Sequence, residues 1–517
     1  MHLLQIILFL LLCAVALGWI ARRFNFPYPV ALVVGGAALG FVPKLPQFPF
    51  DPEFILILVL PPVLYQAALL TSWRDFKANV RPIGLLAVGL VVATTLAVGT
   101  ALKLLLPEVP WAAAFVLGAI VSPPDAVAAT AILSRLNIPR RMVTVLEGES
   151  LVNDASGLVL YKFAVAAVLT GTFSLFEAGA QFVGVSLGGI AIGILMGRLS
   201  VAIHRHLGDA FIEVLASLSV PYIAYVLAES FHASGVLAVV AAGLVRGRYS
   251  PEVVSAEMRI MARSMWNMLV FLLNSLIFML IGMQLSGVIG RLSGYSAAEL
   301  VTCGTLISAV AIAVRFAWIY PATYLPHLLN APSSGRVPPP GEPFIMSWCG
   351  MRGIVSLAAA LALPIAIANE GPFPYRDLII FLTFVVIAVT LVVQGLTLPP
   401  LIRRLRVGRD WSGQEEQQRA SLALGKAAIA AIDGLAAREG IPDELAERIR
   451  AEFAEQITLA VPTGVILSRG TDHARRLRQA AIMAERQELI RIWRENQISD
   501  GVLHHLEEDL DHQESRV

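Results

Sequence analysis

Charged residues are scarce in this chain, and their scarcity excludes an ordinary soluble protein. Asp, Glu, Lys and Arg together make up 15% of the 517 residues, whereas soluble domains carry about 25%. Hydrophobic residues make up 56%, and the mean hydropathy is +0.71. We therefore expect an all-α polytopic membrane protein with a polar segment at its C-terminal end.

Cysteine and net charge are also low. Cys13, Cys303 and Cys349 all fall in apolar segments, which favours small core residues over a disulfide framework or a metal cluster. The formal net charge is +1, so no global positive field indicates nucleic acid as a partner. The sequence predicts a lipid bilayer as the main partner and no cofactor.

Long apolar runs, in contrast, are abundant. A membrane-spanning helix needs about 20 apolar residues, and by that measure residues 1–405 contain about 13 spans. If the N-terminus lies outside, the loops that face the cytoplasm hold 19 Lys and Arg residues and the opposite loops hold three. This asymmetry follows the positive-inside rule and predicts a cytoplasmic C-terminus.

The segment from residue 410 to 517 differs in composition and is rich in Glu, Arg, Gln and Ala. Breaks are expected near Pro442 and Pro462, and we expect about four helices in all. One of them, Arg475 to Arg494, has apolar residues at helical spacing. The sequence of this tail contains no nucleotide loop, metal cluster or catalytic motif, so we interpret it as a helical cytoplasmic domain for assembly or regulation.

Polar residues inside the apolar runs mark a candidate site. A charged side chain at the centre of a bilayer costs about 2.5–3.5 kcal/mol on insertion scales and usually has a function. Asp154 follows Asn153 in one such run, and Ser150 shares its helical face, so the two can line one pocket. Glu149 points about 140° away from Asp154 around the helix axis. A buried glutamate needs a cation, and Arg352 is the best candidate partner.

Two segments are expected to interrupt helices. Ser122-Pro-Pro-Asp125 contains adjacent prolines, which remove backbone donors and disfavour helix before them. Gly350-Met-Arg-Gly353 is a second candidate break. Unwound backbone at the bilayer midplane frees carbonyls that can hold a cation, and corresponding breaks in two halves are typical of inverted-repeat transporters. Asp125 can either bind an ion or cap the helix that begins there.

At these positions the chain resembles the sodium/proton exchangers of the cation:proton antiporter-1 family. The matching segments are Leu60-Pro61-Pro62, Ser122–Val127, Gly148–Asp154 and Gly350–Gly353, with weaker similarity at Asn274–Leu285 and Gln394–Pro399. The combination of a glutamate, an Asn-Asp pair and a downstream Arg-Gly is specific. The resemblance covers about residues 1–405, and the short tail resembles bacterial members.

This resemblance implies a fold and a set of roles. A dimerisation region would support a moving six-helix core, near residues 110–203 and 296–402. Asp154 would bind the cation or the proton in turn, and Ser150 and the backbone near Pro124 would help to ligate the cation. Asn153 would hold the site open and mark the electroneutral type. The protein would be a homodimer in the inner (plasma) membrane of a bacterium.

The resemblance also implies a structural charge network, and it contains one departure. Glu149 and Arg352 would form an ion pair, and Asp125 would stabilise the crossing of two broken helices. Members commonly carry an acid a few residues after the proline pair, where this chain has Gln66. An amide can offer its carbonyl to a cation but cannot titrate. Asp154 is then the sole obvious exchanging group.

Together these observations predict a transporter rather than an enzyme. The leading hypothesis is an electroneutral antiporter of Na⁺ or Li⁺ against H⁺ that works by alternating access and serves pH homeostasis. K⁺/H⁺ exchange is a close alternative. An anion transporter would give Asp154 no role, and a non-transporting membrane sensor is supported only by Gln66. An intramembrane hydrolase with Asp125 and Asp154 as a catalytic pair has no further motif in its favour.

Overall fold

The described part of the protein is almost entirely helical. The computed structural model describes residues 2–23, 28–42, 52–125, 129–130, 133, 138–171, 174–253, 256–292, 294–328, 337–367, 371–405, 407, 412–459 and 472–514. The first helices in chain order are α1 His2–Arg23, α2 Tyr28–Gly40, α3 Pro52–Leu70, α4 Trp73–Ala78, α5 Val80–Gly84, α6 Val91–Leu105, α7 Trp111–Val121, α8 Arg140–Thr170, α9 Leu175–His204, α10 Ala210–Ser230, α11 Gly235–Val253 and α12 Ala256–Arg291. They are followed by α13 Ala297–Leu328, α14 Gly341–Trp348, α15 Ile354–Leu361, α16 Arg376–Val389, α17 Gly395–Leu405, α18 Ser412–Glu439, α19 Asp443–Leu459, α20 Asp472–Arg494 and α21 Asp500–Glu514.

Short irregular elements connect some of these helices. The π-helical segments Leu85–Leu90 and Thr390–Gln394 join α5 to α6 and α16 to α17 without a break in the chain of helical turns. Two strands, β1 Ala366–Ile367 and β2 Gly371–Pro372, pair antiparallel between α15 and α16, with Ala366 opposite Pro372.

Eight of the described helices are long and apolar enough to cross a membrane, and four shorter helices are also apolar. Seven of the eight lie between Val80 and Leu405. The eighth is α18 in the tail, whose apolar face packs on α20. The chain is therefore an all-α multi-pass membrane protein, and the number of thirteen spans stays a prediction.

The membrane helices form two packing groups. The scaffold group consists of α1–α3 and α9–α12, and the core group consists of α5–α8 and α13–α17. Close helix contacts in the scaffold group occur at glycines, as is common between membrane helices. A Cβ atom on Gly36 would overlap the backbone of α12 at Met279, and one on Gly282 would overlap α2 at Val33.

Helices α6 and α9 do not pack as the expected core boundaries, residues 110–203, would place them. Helix α6 precedes those limits but packs on α7, while α9 falls inside them but packs on α11. Gly189, Gly193 and Gly197 allow the backbone of α9 to contact α11. Hydropathy locates a helix but does not select its neighbour, whereas small residues four apart mark a face that another helix can approach.

The two expected helix breaks cross each other, as the family resemblance implied. Helix α7 ends at Val121 before the two prolines, and the chain from Cys349 to Gly353 separates α14 from α15. The backbone N–H of Asp125 donates to the carbonyl of Met351 at 2.7 Å. A Cβ atom on Gly353 would overlap the Asp125 carboxylate. The crossing thus requires glycine at position 353.

The described residues of the tail form four helices, α18–α21, which is the number that the sequence predicted, and the expected break near Pro462 lies outside the described residues. Two apolar clusters hold these helices together, one around Ile432, Phe453 and Leu477 and the other around Leu424 and Leu503. Helix α21 also contacts α4 and α12 of the membrane region. The tail is therefore packed onto the membrane helices at one end.

Candidate functional site

A cavity of about 260 Å³ lies between the two packing groups and contains the side chain of Asp154. On one side are α2, α3 and α12, and on the other are the crossing, α8 and α15. Its polar lining residues are Thr71, Asp125, Thr130, Glu147, Ser150, Asp154 and Asn274. Asp154 is 6% exposed, so the carboxylate faces an enclosed space and not the lipid.

Helix α8 positions three of the expected site residues by its local geometry. Ser150 and Asp154 are one turn apart, and both line the cavity, as the helical spacing predicted. Asn153 is fully buried on the neighbouring face. Helix α8 ends at Gly171, whose φ of +69° closes the last turn in the left-handed region. The site thus lies near the middle of a 31-residue helix.

Asn153 joins α8 to the first helix break. Its Nδ2 donates to the carbonyl of Pro124 at 2.8 Å, and its buried Oδ1 has no hydrogen-bond partner among the described residues. The Pro124 carbonyl is one of the groups that the break frees, because the prolines interrupt the helical ladder. The Asn153 amide therefore uses one of the two lone pairs of the Pro124 carbonyl oxygen, and the second lone pair can accept another interaction.

Asp125 lies at the crossing and also lines the cavity. Its backbone N–H is held by Met351, and its carboxylate fills the space above Gly353. The structure thus brings Asp125, which lies at the crossing, and Asp154, which lies on α8, to the same cavity. Asp125 is only partly buried, whereas Asp154 is buried.

The expected ion pair between Glu149 and Arg352 is wrong, because Glu149 pairs with Arg315 of α13. The Nη2 of Arg315 donates to Oε2 of Glu149 at 2.8 Å, and Nη1 donates to Oε1. Nε of Arg315 donates to the Met346 carbonyl at 3.1 Å. Glu149 and Arg315 are each 1% exposed, so this fork-shaped pair ties α8 to α13 and α14 inside the core group.

Arg352 has a different environment. Its Nη1 donates to the carbonyl of Gly350 at 3.1 Å, and its backbone N–H donates to Thr390 Oγ1 at 3.1 Å. Its buried Nε has no hydrogen-bond partner in the described part of the chain. It therefore stabilises the second break locally. Arg315 was missed because no recognisable motif surrounds it, although a lone arginine inside an apolar run was itself a signal.

Gln66 lies outside the Asp154 cavity. Its Nε2 donates to Asn267 Oδ1 of α12 at 2.8 Å, and the side chain lines a separate cavity of about 80 Å³ with Arg246. The α3 residues that do line the Asp154 cavity include Leu60, Val63, Leu64 and Ala67. Each helical residue turns by about 100°, so the position before Ala67 faces elsewhere.

Comparison with known proteins agrees with this arrangement. The family model described as "Sodium/hydrogen exchanger, transmembrane" matches residues 7–404. The chain belongs to the sodium/hydrogen exchanger family. It is 35% identical to an uncharacterized Na⁺/H⁺ exchanger of Mycobacterium tuberculosis, over 99% of this chain and 96% of that protein. It is 34% identical to the sodium, potassium, lithium and rubidium/H⁺ antiporter of Bacillus subtilis, over 77% of this chain and 61% of that protein.

The fold is similar to that of the sodium proton antiporter MjNhaP1 from Methanocaldococcus jannaschii. The TM-score is 0.62 at 20% identity, over 78% of this chain and 99% of the other. At this identity the likeness concerns the fold alone.

Chemically, the cavity of this exchanger presents carboxylate, hydroxyl and amide oxygens, which are the ligands that hard cations prefer.

Four polar residues in the exchanger's cavity, Glu147, Asn274, Thr130 and Thr71, were not assigned to the site from the sequence. Glu147 lies seven residues before Asp154, two helical turns away on the same face, so its spacing gave a usable signal. Asn274 of α12 is 1% exposed, and its Oδ1 has no hydrogen-bond partner within the residues that the structure describes. Thr130 follows the first break. Asn274 and Thr130 reach the cavity only through the packing of separate helices.

Proposed function

We propose that this exchanger is an electroneutral antiporter of Na⁺ or Li⁺ against H⁺, with Asp154 as the group that binds one or the other. The observation that carries the proposal is the buried carboxylate of Asp154 in a cavity between the scaffold and core groups. One carboxylate that holds either one proton or one monovalent cation gives one-for-one exchange. No net charge then crosses the membrane.

The position of the cavity supports alternating access. One wall belongs to α2, α3 and α12, and the other carries Asp154, Ser150 and Asp125. Movement of the core group against the scaffold group would open the cavity to either side in turn. Glu147 and Thr71 lie at the end of the cavity near the arginine-rich loops, which the positive-inside rule places in the cytoplasm.

The other residues of the site then have distinct roles. Ser150 and the free acceptor position of Pro124 would help to ligate the cation, and Asn153 would hold the break against α8. Asp125 would stabilise the crossing. We also propose a homodimer in the plasma membrane of a bacterium, with a cytoplasmic C-terminus, on the basis of the family and of the Lys and Arg distribution.

K⁺ exchange is the second candidate. The relative from Bacillus subtilis is named for sodium, potassium, lithium and rubidium, so a cavity of this family need not exclude the larger ions. A cavity volume of about 260 Å³ leaves room for a cation of either size with water. Selectivity therefore has to be measured.

The test is the collapse of a pH gradient in everted membrane vesicles on addition of Na⁺, Li⁺ or K⁺. Asp154→Asn should abolish the response, whereas Glu177→Gln, which changes an exposed carboxylate at the start of α9, should leave it intact. Collapse by K⁺ alone would replace the proposed cation. No response to any cation, with the protein present in the membrane, would overturn the proposal in favour of a sensor.

Electroneutrality has its own test. In proteoliposomes, a membrane potential imposed with valinomycin and K⁺ should leave the Na⁺-driven proton flux unchanged. A flux that rises or falls with the potential would show that net charge moves. Exchange would then require a second titrating group in the cavity, for which Asp125 and Glu147 are present.

A further inference from the structure

The last helix of the tail, α21, lies across the boundary between the two packing groups. Its N-terminal end contacts α4 and the start of α8, and its C-terminal half contacts α12. The two contact points Asp500 and Asp511 are about 16 Å apart along the helix axis, at 1.5 Å per residue. An α-helix of this length acts as a strut between them.

At the first contact point, Asp500 is bonded by both the membrane region and the tail. Ser72 Oγ donates to its Oδ2 at 2.7 Å, and Trp493 Nε1 donates to its Oδ1 at 2.7 Å. The guanidinium of Arg74 lies 4.7 Å from the centroid of the Trp493 ring, and its Nη1 donates to the carbonyl of Ile498 at 3.3 Å. Burial alone would raise the pKa of Asp500, but these donors outweigh it and hold the pKa below its usual value.

The same contact reaches the core group directly. Arg140, the first residue of α8, donates to Ser499 Oγ, and its Nη2 lies 3.3 Å from Asp75 Oδ2 of α4. Helix α4 in turn packs on α8, where a Cβ atom on Gly148 would lie 3.3 Å from the Phe76 ring. The N-terminal end of α21 is therefore attached to the helix that carries Asp154.

At the second contact point, α21 is attached to the scaffold group by paired charges. Arg259 of α12 donates through Nε to Asp511 Oδ2 at 2.7 Å, and its Nη1 lies 3.3 Å from Glu507 Oε1. One turn further along α12, Arg263 pairs with Glu508. Glu507 and Asp511 are 5% and 3% exposed. The pairs with Arg259 are therefore buried, unlike solvent-exposed ion pairs, which contribute little to stability.

We propose that α21 is an intramolecular clamp that restrains the core group against the scaffold group and thereby slows antiport. The inference rests on the proposed function, because a restraint on relative movement limits only a transporter that needs that movement. Contacts made in one arrangement stabilise that arrangement over the other. With a rigid helix bonded at both ends, one set of bonds must break before α8 moves relative to α12.

The test uses the full chain in everted vesicles and proteoliposomes. Glu507→Gln combined with Asp511→Asn removes both carboxylates that pair with Arg259, on the tail side only. Glu488→Gln combined with Glu495→Gln is the matched control, since these two carboxylates pair with Arg491 on the tail itself. We expect the first variant to raise the exchange rate at least threefold and the control to leave it unchanged.

A scaffold-side variant separates release of the clamp from other effects. Arg259→Gln should raise the rate as the tail-side variant does, and the two changes combined should raise it no further, because both remove one contact. A rate that is unchanged or lower in the tail-side variant would overturn the clamp. A combined variant with fully additive gains would also contradict it.

Hydrogen–deuterium exchange gives a readout that does not depend on ion transport. Release of α21 from α12 should increase deuterium uptake in α21 and in the first turns of α12 around Arg259, while the control variant should match the wild type. Unchanged uptake in α21 and in the first turns of α12 would overturn the clamp even if exchange is faster. If no cation drives exchange in any variant, the proposed function fails and the uptake alone decides whether α21 restrains the core group.

Discussion

The guanidinium of Arg315 forms a fork-shaped pair with the carboxylate of Glu149, five residues before Asp154 on α8. Both side chains are buried, and Arg315 also bonds the Met346 carbonyl of α14. The pair thus fixes the helix that carries the exchanging carboxylate against the helix that precedes the second break. Its place beside the site makes it the first relationship to test.

Removal of Arg315 should destabilise the protein more than removal of Arg352. Loss of one partner leaves a buried uncompensated charge, which typically costs about 3–5 kcal/mol. We expect Arg315→Gln to lower the thermal unfolding temperature strongly, and Glu149→Gln combined with Arg315→Gln to recover part of the loss. Equal destabilisation by Arg352→Gln, with no recovery in the double variant, would argue for the pairing with Arg352 instead.

Asn153→Ala should reduce exchange because it deletes the donor to the Pro124 carbonyl. A typical hydrogen bond contributes about 0.5–1.5 kcal/mol, and an unsatisfied buried partner costs about 1–3 kcal/mol. We expect at least a tenfold loss of Na⁺-driven proton flux. Ser156→Ala is the control, since Ser156 Oγ bonds only to the Val152 carbonyl of its own helix. If both variants behave alike, the Asn153 bond has no special role.

Gly353→Ala should abolish transport by preventing the crossing of the two breaks. The new methyl group would overlap the Asp125 carboxylate, which sits above position 353. Gly290→Ala in α12 meets open space and should be neutral or slightly stabilising, because alanine favours helix over glycine. Exchange rates with matched protein amounts in the membrane measure the effect. Normal exchange in Gly353→Ala would mean that the crossing opens during transport.

Gln66→Glu should leave the apparent affinity for Na⁺ within about twofold, because position 66 faces Asn267 and Arg246 instead of the Asp154 cavity. Glu147→Gln should change that affinity, because Glu147 lines the cavity on the same face as Asp154. The Na⁺ concentration at half-maximal flux measures both. A large affinity gain in Gln66→Glu would show that α3 rotates or shifts to bring this side chain to the cation.

Glu485 in the tail should make α20 less stable as the pH rises. Burial raises the pKa of this carboxyl to about 8, and its Oε2 has no hydrogen-bond partner in the described ranges of the tail. A group whose pKa is higher in the folded than in the unfolded protein contributes fully to the free energy of unfolding below its unfolded pKa. That contribution is lost as the pH rises through the folded pKa, here about 8. Deuterium uptake in α20, corrected for intrinsic exchange, should therefore rise between pH 6 and pH 8.5.

Glu485→Gln should remove this pH dependence and protect α20 at pH 8.5. The amide keeps the size of the side chain but has no charge to bury. Glu488→Gln on the partly exposed face of the same helix should retain the wild-type pH dependence. Uptake in Glu485→Gln that still rises between the two pH values would assign the effect to another group.

The sequence by itself determined the features that depend on composition and on positions close together in the chain. Low charge and long apolar runs established a membrane protein, and adjacent prolines established the first helix break, because proline has no N–H to donate. Helical spacing placed Ser150 on the face of Asp154, and it would have added Glu147 by the same rule. The break between α18 and α19 followed from Pro442.

Only the tertiary structure decided which distant residues meet. Spacing along a helix fixes the face on which a side chain lies but not the helix that packs on that face. Hence Glu149 pairs with Arg315, 166 residues away, and Gln66 lies apart from the cavity. The attachment of Asp511 to Arg259 spans 252 residues. Such contacts depend on how glycines and other small residues let helices approach, which no local pattern specifies.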